Sequence, residues 1–174
     1  INAQLKMFKI DRPDTGGEMV RSMARVMGSL VDELEKAQPD IVLSGFDIGA
    51  NLAVTIAAAH MNIPVAHIQG GEVTGSIDES IRHAMSKFAH IHFPATELSK
   101  QRLIRMGEDP DNIYVVGCPS IDVILETPML NIQTLEEYFG LNFSKPTLLM
   151  IQHPVTTEVE DSFQQIKDSR LGKL

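Results

Sequence analysis

The chain has 174 residues, 43% of them hydrophobic, with a formal charge of −8 and one cysteine. This describes a globular domain with a real core, marginal for two domains, and no apolar run approaches the roughly 20 residues of a membrane span. Scattered Lys and Arg leave no basic stripe to track a phosphate backbone, so neither nucleic acid nor membrane is an expected partner. Cys118 has no partner for an internal disulfide, and no charged-then-apolar leader opens the sequence, so a cytoplasmic setting is expected. Cys118 itself reads as a small core or turn residue, with a catalytic thiol as the alternative.

In chain order, Met19, Val20, Met23, Val26, Met27, Leu30, Val31 and Leu34 recur at helical spacing and predict a helix from Gly17 to Ala37, its methionines in the core. After Pro39-Asp40 comes a short buried strand, Ile41 to Ser44, and then an alanine-rich helix from Gly49 to Met61. A strand over 64 to 68 leads into Gly70-Gly71, and a helix runs from Asp78 to Ala89. A strand at His90 to Phe93, a helix from Thr96 to Met106 and a strand from Asn112 to Val116 follow. Strands separated by helices of this length imply an α/β fold, a Rossmann-like parallel sheet with helices on both faces. Gly117 to Ser120 is a turn into a short helix, Ile121 to Leu125, where Ser120 is explained by helix initiation or by a turn against a ligand cleft. From Glu126 to Lys145 the chain is less regular around a helix near Thr134 to Phe139, and Thr147 to Ile151 reads as another buried strand. The expected domains are 1–126, a linker at 127–145, and the start of a second domain at 146–174. Ile1 at the start, and an end at Leu174 soon after a new strand, lead us to expect a piece of a longer protein.

The chemistry concentrates in residues 67–83. Gly70 and Gly71 offer a bare backbone that a ligand can approach, and Ser76-Ile77-Asp78-Glu79 reads as a capping box. Three carboxylates, two histidines and an arginine therefore gather at the carboxyl end of a parallel strand, where open α/β sheets bind ligands. Arg82 and His83 stand four residues beyond Asp78 and Glu79, so each can pair with its acidic neighbour on the same helix face. Glu72 is either an acid/base group reaching across the glycine turn or a solvated loop carboxylate. His90 and His92 alternate within a strand and read as structural, and the six histidines lack metal-site spacing, so no metal is expected.

The runs HIQGGEVTGSIDESIRHAMSKFAHIHFPATE, RLIRMGEDPDNIYVVGCPSID and IQHPVTTEVEDS, in that order, resemble the hydrolysing UDP-N-acetylglucosamine 2-epimerases of sialic-acid-type sugar pathways. The resemblance extends from about Gly16 to Asp161. It implies a partial GT-B type fold, with most of the first Rossmann-like domain and the opening of the second, and a UDP-sugar in the cleft between them. The first strand with its arginine-bearing loop, and the second-domain residues that hold uridine and diphosphate, are the parts the resemblance finds missing. The implied reaction removes the proton from the carbon bearing the acetamido group as UDP departs, then adds water to the glycal to give N-acetylmannosamine. It needs a base, an acid and help for a leaving diphosphate, and no cofactor.

Residue by residue, the resemblance makes Asp47 an acid/base group, with an N-cap for the Gly49 helix as the alternative. The family's His-Gly-Asp, with arginine next in the sialic-acid branch, is replaced here by Gly45-Phe46-Asp47-Ile48. Gln69 stands where many members carry a catalytic glutamate; it can hydrogen-bond a substrate but cannot accept a proton as a carboxylate does. Asp78 and Glu79 match paired acidic catalytic positions, with simple capping as the alternative. His153 matches a cleft histidine suited to the leaving phosphate, against a plain loop histidine. Gln69, Gly70, Gly71, Arg82, His83 and Ser120 are expected to line the substrate site, and the exposed 148–150 segment is expected to drive a homodimer or higher homo-oligomer. Two other readings stay open: a hydrolase for a diacetamido sugar, and a non-catalytic self-associating domain.

Overall fold

The computed structural model describes residues 15–46, 49–151, 153 and 161–170. The chain divides into two compact units, Ile1–Cys118 and Pro119–Leu174.

In the first unit, α1 (Gly16–Ala37) starts where Thr15 accepts the Glu18 N–H and ends where Gln38, in the left-handed region at φ 44°, donates to the Leu34 carbonyl. Its buried Val26 and Leu30, with Met27 and Leu34, pack on Ala53, Val54 and Ala57 of α2 (Gly49–His60). Small alanines let the two helices lie close. Met27 joins this core as expected, whereas Met19, in the first turn of α1, is left 43% exposed.

Three parallel strands, β1 (Val42–Gly45), β2 (Val65–Ile68) and β3 (Ile91–Phe93), stand in the order β1-β2-β3. The register aligns Ser44 with His67 and His67 with His92, so a buried polar row crosses the sheet. Burying that row requires partners. Ser44 shares a 2.8 Å hydrogen bond with Thr55 on α2, and His67 Nδ1 lies 3.1 Å from Ser86 Oγ on α3 (Ile77–Phe88). His92 Nε2 is 3.3 Å from Glu108, whose other carboxylate oxygen is 2.7 Å from Lys87. The structural reading of His92 agrees with this burial. The helix α4 (Glu97–Arg105) is capped by Thr96, which accepts the Ser99 N–H at 3.1 Å. Met85 of α3 and Leu103 of α4 are fully buried.

Two expected strands differ. The segment 112–116 makes one bridge, Ile113 beside His92, after a 3₁₀ turn at Pro110–Asn112. Tyr114 and Val116 donate to the carbonyls of His92 and Pro94, so the chain follows the sheet edge through alternate bonds without forming a ladder.

The second unit has helices α5 (Pro119–Glu126), α6 (Ile132–Phe139) and α7 (Ser162–Arg170), the last not foreseen. Asn131 caps α6, accepting the Thr134 N–H at 2.8 Å, and Gly140 closes it at φ 64°. Residues 147–151 form no strand, and Leu148 is 97% exposed. An apolar run becomes a buried strand only beside a chain that takes up its N–H and C=O groups, and the described residues of this unit supply none. Among the described residues, no helix is long and apolar enough to cross a membrane.

Candidate functional site

The site candidates of the first unit are built where β2 ends. Gln69 leaves the strand in the left-handed region at φ 61°, a conformation that costs a non-glycine residue about 1 kcal/mol or more. Its N–H donates to the Phe93 carbonyl at 2.9 Å, and its side-chain Nε2 donates to Cys118 Sγ at 3.3 Å. Cys118 is thus a half-buried contact of Gln69. Phe46, at the end of β1, repeats the same strain at φ 63°, and the Asn51 amide donates to the carbonyl of the preceding Gly45. Neighbouring strands therefore both end in strained non-glycine residues, and such outliers cluster at functional sites.

The protein's own packing requires glycine at positions 70 and 71. A Cβ at Gly70 would stand 2.9 Å from Ser86 Oγ and 3.0 Å from His67 Nδ1, and one at Gly71 would stand 2.3 Å from the Ser99 carbonyl. Both residues are buried, and the turn closes on protein. Two guanidinium groups then fasten it: Arg102 donates to the Gly71 carbonyl at 3.3 Å and Arg82 to the Glu72 carbonyl at 2.8 Å. Arg82, 6% exposed, so joins helix to loop, a link that its spacing from Asp78 does not reveal.

Ser76 is the N-cap of α3, accepting the Asp78 N–H at 3.3 Å and donating to Asp78 Oδ2 at 3.0 Å. Glu79 departs from the expected capping box. Its Oε2 accepts the backbone N–H groups of Thr74 and Gly75, at 2.8 and 2.7 Å, rather than that of the cap residue. These two bonds hold its pKa below the ordinary carboxylate value, with His83 and Arg82 adding to the effect. His83 Nε2 is 3.8 Å from Glu79 Oε1, so the two side chains of the expected pair lie near each other.

The first unit thus brings together Gln69, Gly70, Gly71, Glu72, Asp78, Glu79, Arg82 and His83 on one turn and the helix that follows. Glu72 and Asp78 are half-buried. Ser120, in the first turn of α5, and His153 belong to the second unit, where both are exposed. Asp47 lies outside the described residues. Sequence reading missed the contacts of Arg102 with Gly71, of Cys118 with Gln69 and of His67 with Ser86, because each spans at least nineteen residues and nothing local marks it.

Burial lowers the His67 pKa from 6.5 to about 4, helped by His92, Arg82 and His83 nearby. The folded protein therefore keeps this imidazole neutral while the unfolded chain protonates it. Stability is unaffected by His67 above pH 6.5 and falls as pH drops from 6.5 towards 4, by about 3 kcal/mol. Urea melts of wild type and His67→Asn between those pH values should show the variant with the shallower slope; equal slopes would refute the assignment.

The UDP-N-acetylglucosamine 2-epimerase family model matches residues 2–170. Among curated relatives, a UDP-N,N'-diacetylbacillosamine 2-epimerase (hydrolyzing) of Legionella pneumophila is 43% identical over 87% of this chain and 42% of its own length. A UDP-N-acetylglucosamine 2-epimerase of Neisseria meningitidis is 37% identical over 82% of this chain and 37% of its own. The crystal structure of the Neisseria meningitidis UDP-GlcNAc 2-epimerase bound to UDP-GlcNAc superposes with a TM-score of 0.64 at 31% identity, covering 78% of this chain and 38% of that one. The parallel sheet with helices thus matches the GT-B-like fold of these enzymes over the part that aligns. The chain spans about two fifths of the length of such relatives. With its fold, its motifs and the family model in agreement, the chain belongs to the UDP-N-acetylglucosamine 2-epimerase family.

Proposed function

We propose that the whole protein is a hydrolysing 2-epimerase of a UDP-linked acetamido sugar, which eliminates UDP and hydrates the resulting glycal. The observation that carries this reading is the Asp78 carboxylate in the first turn of α3, beside a strained turn bearing Gln69 and Glu72. Elimination takes the C2 proton onto a base as the C1–O bond breaks and UDP leaves with the bonding pair. Hydration returns a proton to C2 from the opposite face and hydroxide to C1. Asp78 fits the proton carrier, since a half-buried carboxylate with one oxygen bonded to Ser76 keeps the other for substrate. Glu79 fits a positioning residue, its Oε2 being committed to the loop N–H groups. Gln69 serves as a hydrogen-bonding group to the acetamido or ring hydroxyls. Asp47 and Glu72 are the other candidate acid/base groups, Gly70, Gly71, Arg82, His83 and Ser120 are candidate substrate-binding residues, and His153 is the candidate for the leaving phosphate.

The second reading, a UDP-diacetamido-sugar substrate, is favoured by the names of the Legionella relative and of a Campylobacter jejuni relative, a GDP/UDP-N,N'-diacetylbacillosamine 2-epimerase (hydrolyzing) 33% identical to this chain. A panel of UDP-GlcNAc and UDP-diacetamido sugars, read by UDP release and by the C2 epimer of the free sugar, decides between them. UDP release with a C2-inverted sugar is expected. Release of neither product from any donor would overturn the reaction, and a strong preference for UDP-GlcNAc would overturn the second substrate.

A further inference from the structure

His67 is one of the most buried side chains in the first unit, 1% exposed, and the reaction above makes no use of it. Its hydrogen bonds favour one tautomer. Ser86 Oγ donates to the Arg82 carbonyl one turn back, at 3.1 Å, which leaves its lone pairs for His67 Nδ1, also at 3.1 Å. The proton is then on Nδ1, and a chain Nδ1–H to Oγ–H to carbonyl is complete. His67 Nε2 is buried without a hydrogen-bond partner among the described residues. A bare acceptor there is the less costly arrangement, since orphaned buried N–H groups are rarer than under-satisfied acceptors. Burial first, and then His92 of β3 and Arg82 and His83 of α3 nearby, favour its neutral form.

The glycine turn rests on this pair. A Cβ at Gly70 would overlap both Ser86 Oγ, at 2.9 Å, and His67 Nδ1, at 3.0 Å, so the backbone there is seated directly on them. On its other side the turn is held by the Gln69 N–H bond to the Phe93 carbonyl. Ser86 belongs to α3, whose first turn carries Asp78. One imidazole therefore touches the strand, the turn and the helix that together set the spacing between Gln69 and Asp78.

We propose that His67, held by Ser86 as the neutral Nδ1–H tautomer, is a positioning residue that locks the Gln69–Gly71 turn to α3 and so sets where Gln69 stands relative to the start of the helix that carries Asp78. The catalytic half of this statement rests on the 2-epimerase reading; the tautomer does not.

Two measurements on the whole protein test it. Long-range proton–nitrogen correlation of the histidine rings at pH 7 should show Nδ1 protonated and Nε2 bare for His67; a proton on Nε2 overturns the proposal whatever the enzyme's substrate. The second compares His67→Asn, which keeps a donor at the Nδ1 position, with His67→Gln, which moves the donor one bond outward. Both are checked for folding by circular dichroism. His67→Asn should lose about tenfold in kcat and His67→Gln about a hundredfold or more, with KM little changed, the scale of an ångström's misplacement at a reacting centre. A separation of less than threefold between the two variants overturns the positioning role. A wild-type protein with the Nδ1–H tautomer but no UDP release from any donor would sink the 2-epimerase reading and the catalytic half with it, leaving the tautomer and its contacts standing.

Discussion

Gly71→Ala should destabilise the first unit by about 3 to 5 kcal/mol, a large share of the roughly 5 to 15 kcal/mol that holds a domain folded. Two independent penalties add. The backbone at Gly71 sits at φ 82°, where a side chain costs about 1 to 2 kcal/mol. The new methyl would stand 2.3 Å from the Ser99 carbonyl and 3.1 Å from Leu103 Cγ, and both residues are buried on α4. A backbone carbonyl inside a helix cannot swing aside as the tip of a lysine does, so α4 must move or the turn must open. Gly75 provides the control. It has a similar φ of 71° with open space around it, and Gly75→Ala should cost only about 1 kcal/mol. Urea midpoints of the two variants check the contrast, and equal losses would show that packing against α4 is not what demands glycine at 71.

Asp78→Asn should lower kcat by about a thousandfold, within the range that a positioned acid/base group contributes. Asparagine keeps an oxygen to accept from Ser76 Oγ, so the start of α3 is preserved while the carboxylate proposed to carry the proton is lost. Glu79→Gln is the informative companion. Its side-chain oxygen can still accept from Thr74 and Gly75, and the loss in kcat should stay within about tenfold. On the proposed reading the two adjacent acids separate by function, one moving protons and one holding the loop. Steady-state kinetics on UDP release read the difference. A Glu79→Gln loss as deep as that of Asp78→Asn would overturn the division of roles.

The helices were legible because their signals are local. Thr15, Ser76, Thr96 and Asn131 cap helices with their own side chains, within three residues of the N–H they accept from. The core strands followed from short apolar runs between helices. The run at 147–151 is also apolar and yet forms no strand, since a ladder depends on a neighbouring chain that composition does not report. The α7 helix was missed because its apolar spacing is weak: Phe163 and Ile166 stand alone among polar residues.

Within the site, the sequence by itself determined the family, the turn at Gly70-Gly71 and the acidic start of α3. Each is written in consecutive residues, and motif spacing survives without knowledge of the fold. Only the tertiary structure decided why those glycines are required, which acid is tied to the loop, and what lies beneath the turn. Ser99, Arg102 and Cys118 come from elements far along the chain, and His67 meets Ser86 across 19 positions. The chain's own backbone sets local geometry, but packing brings distant groups within bonding distance, and there the charge and hydrogen-bonding state of each side chain is fixed.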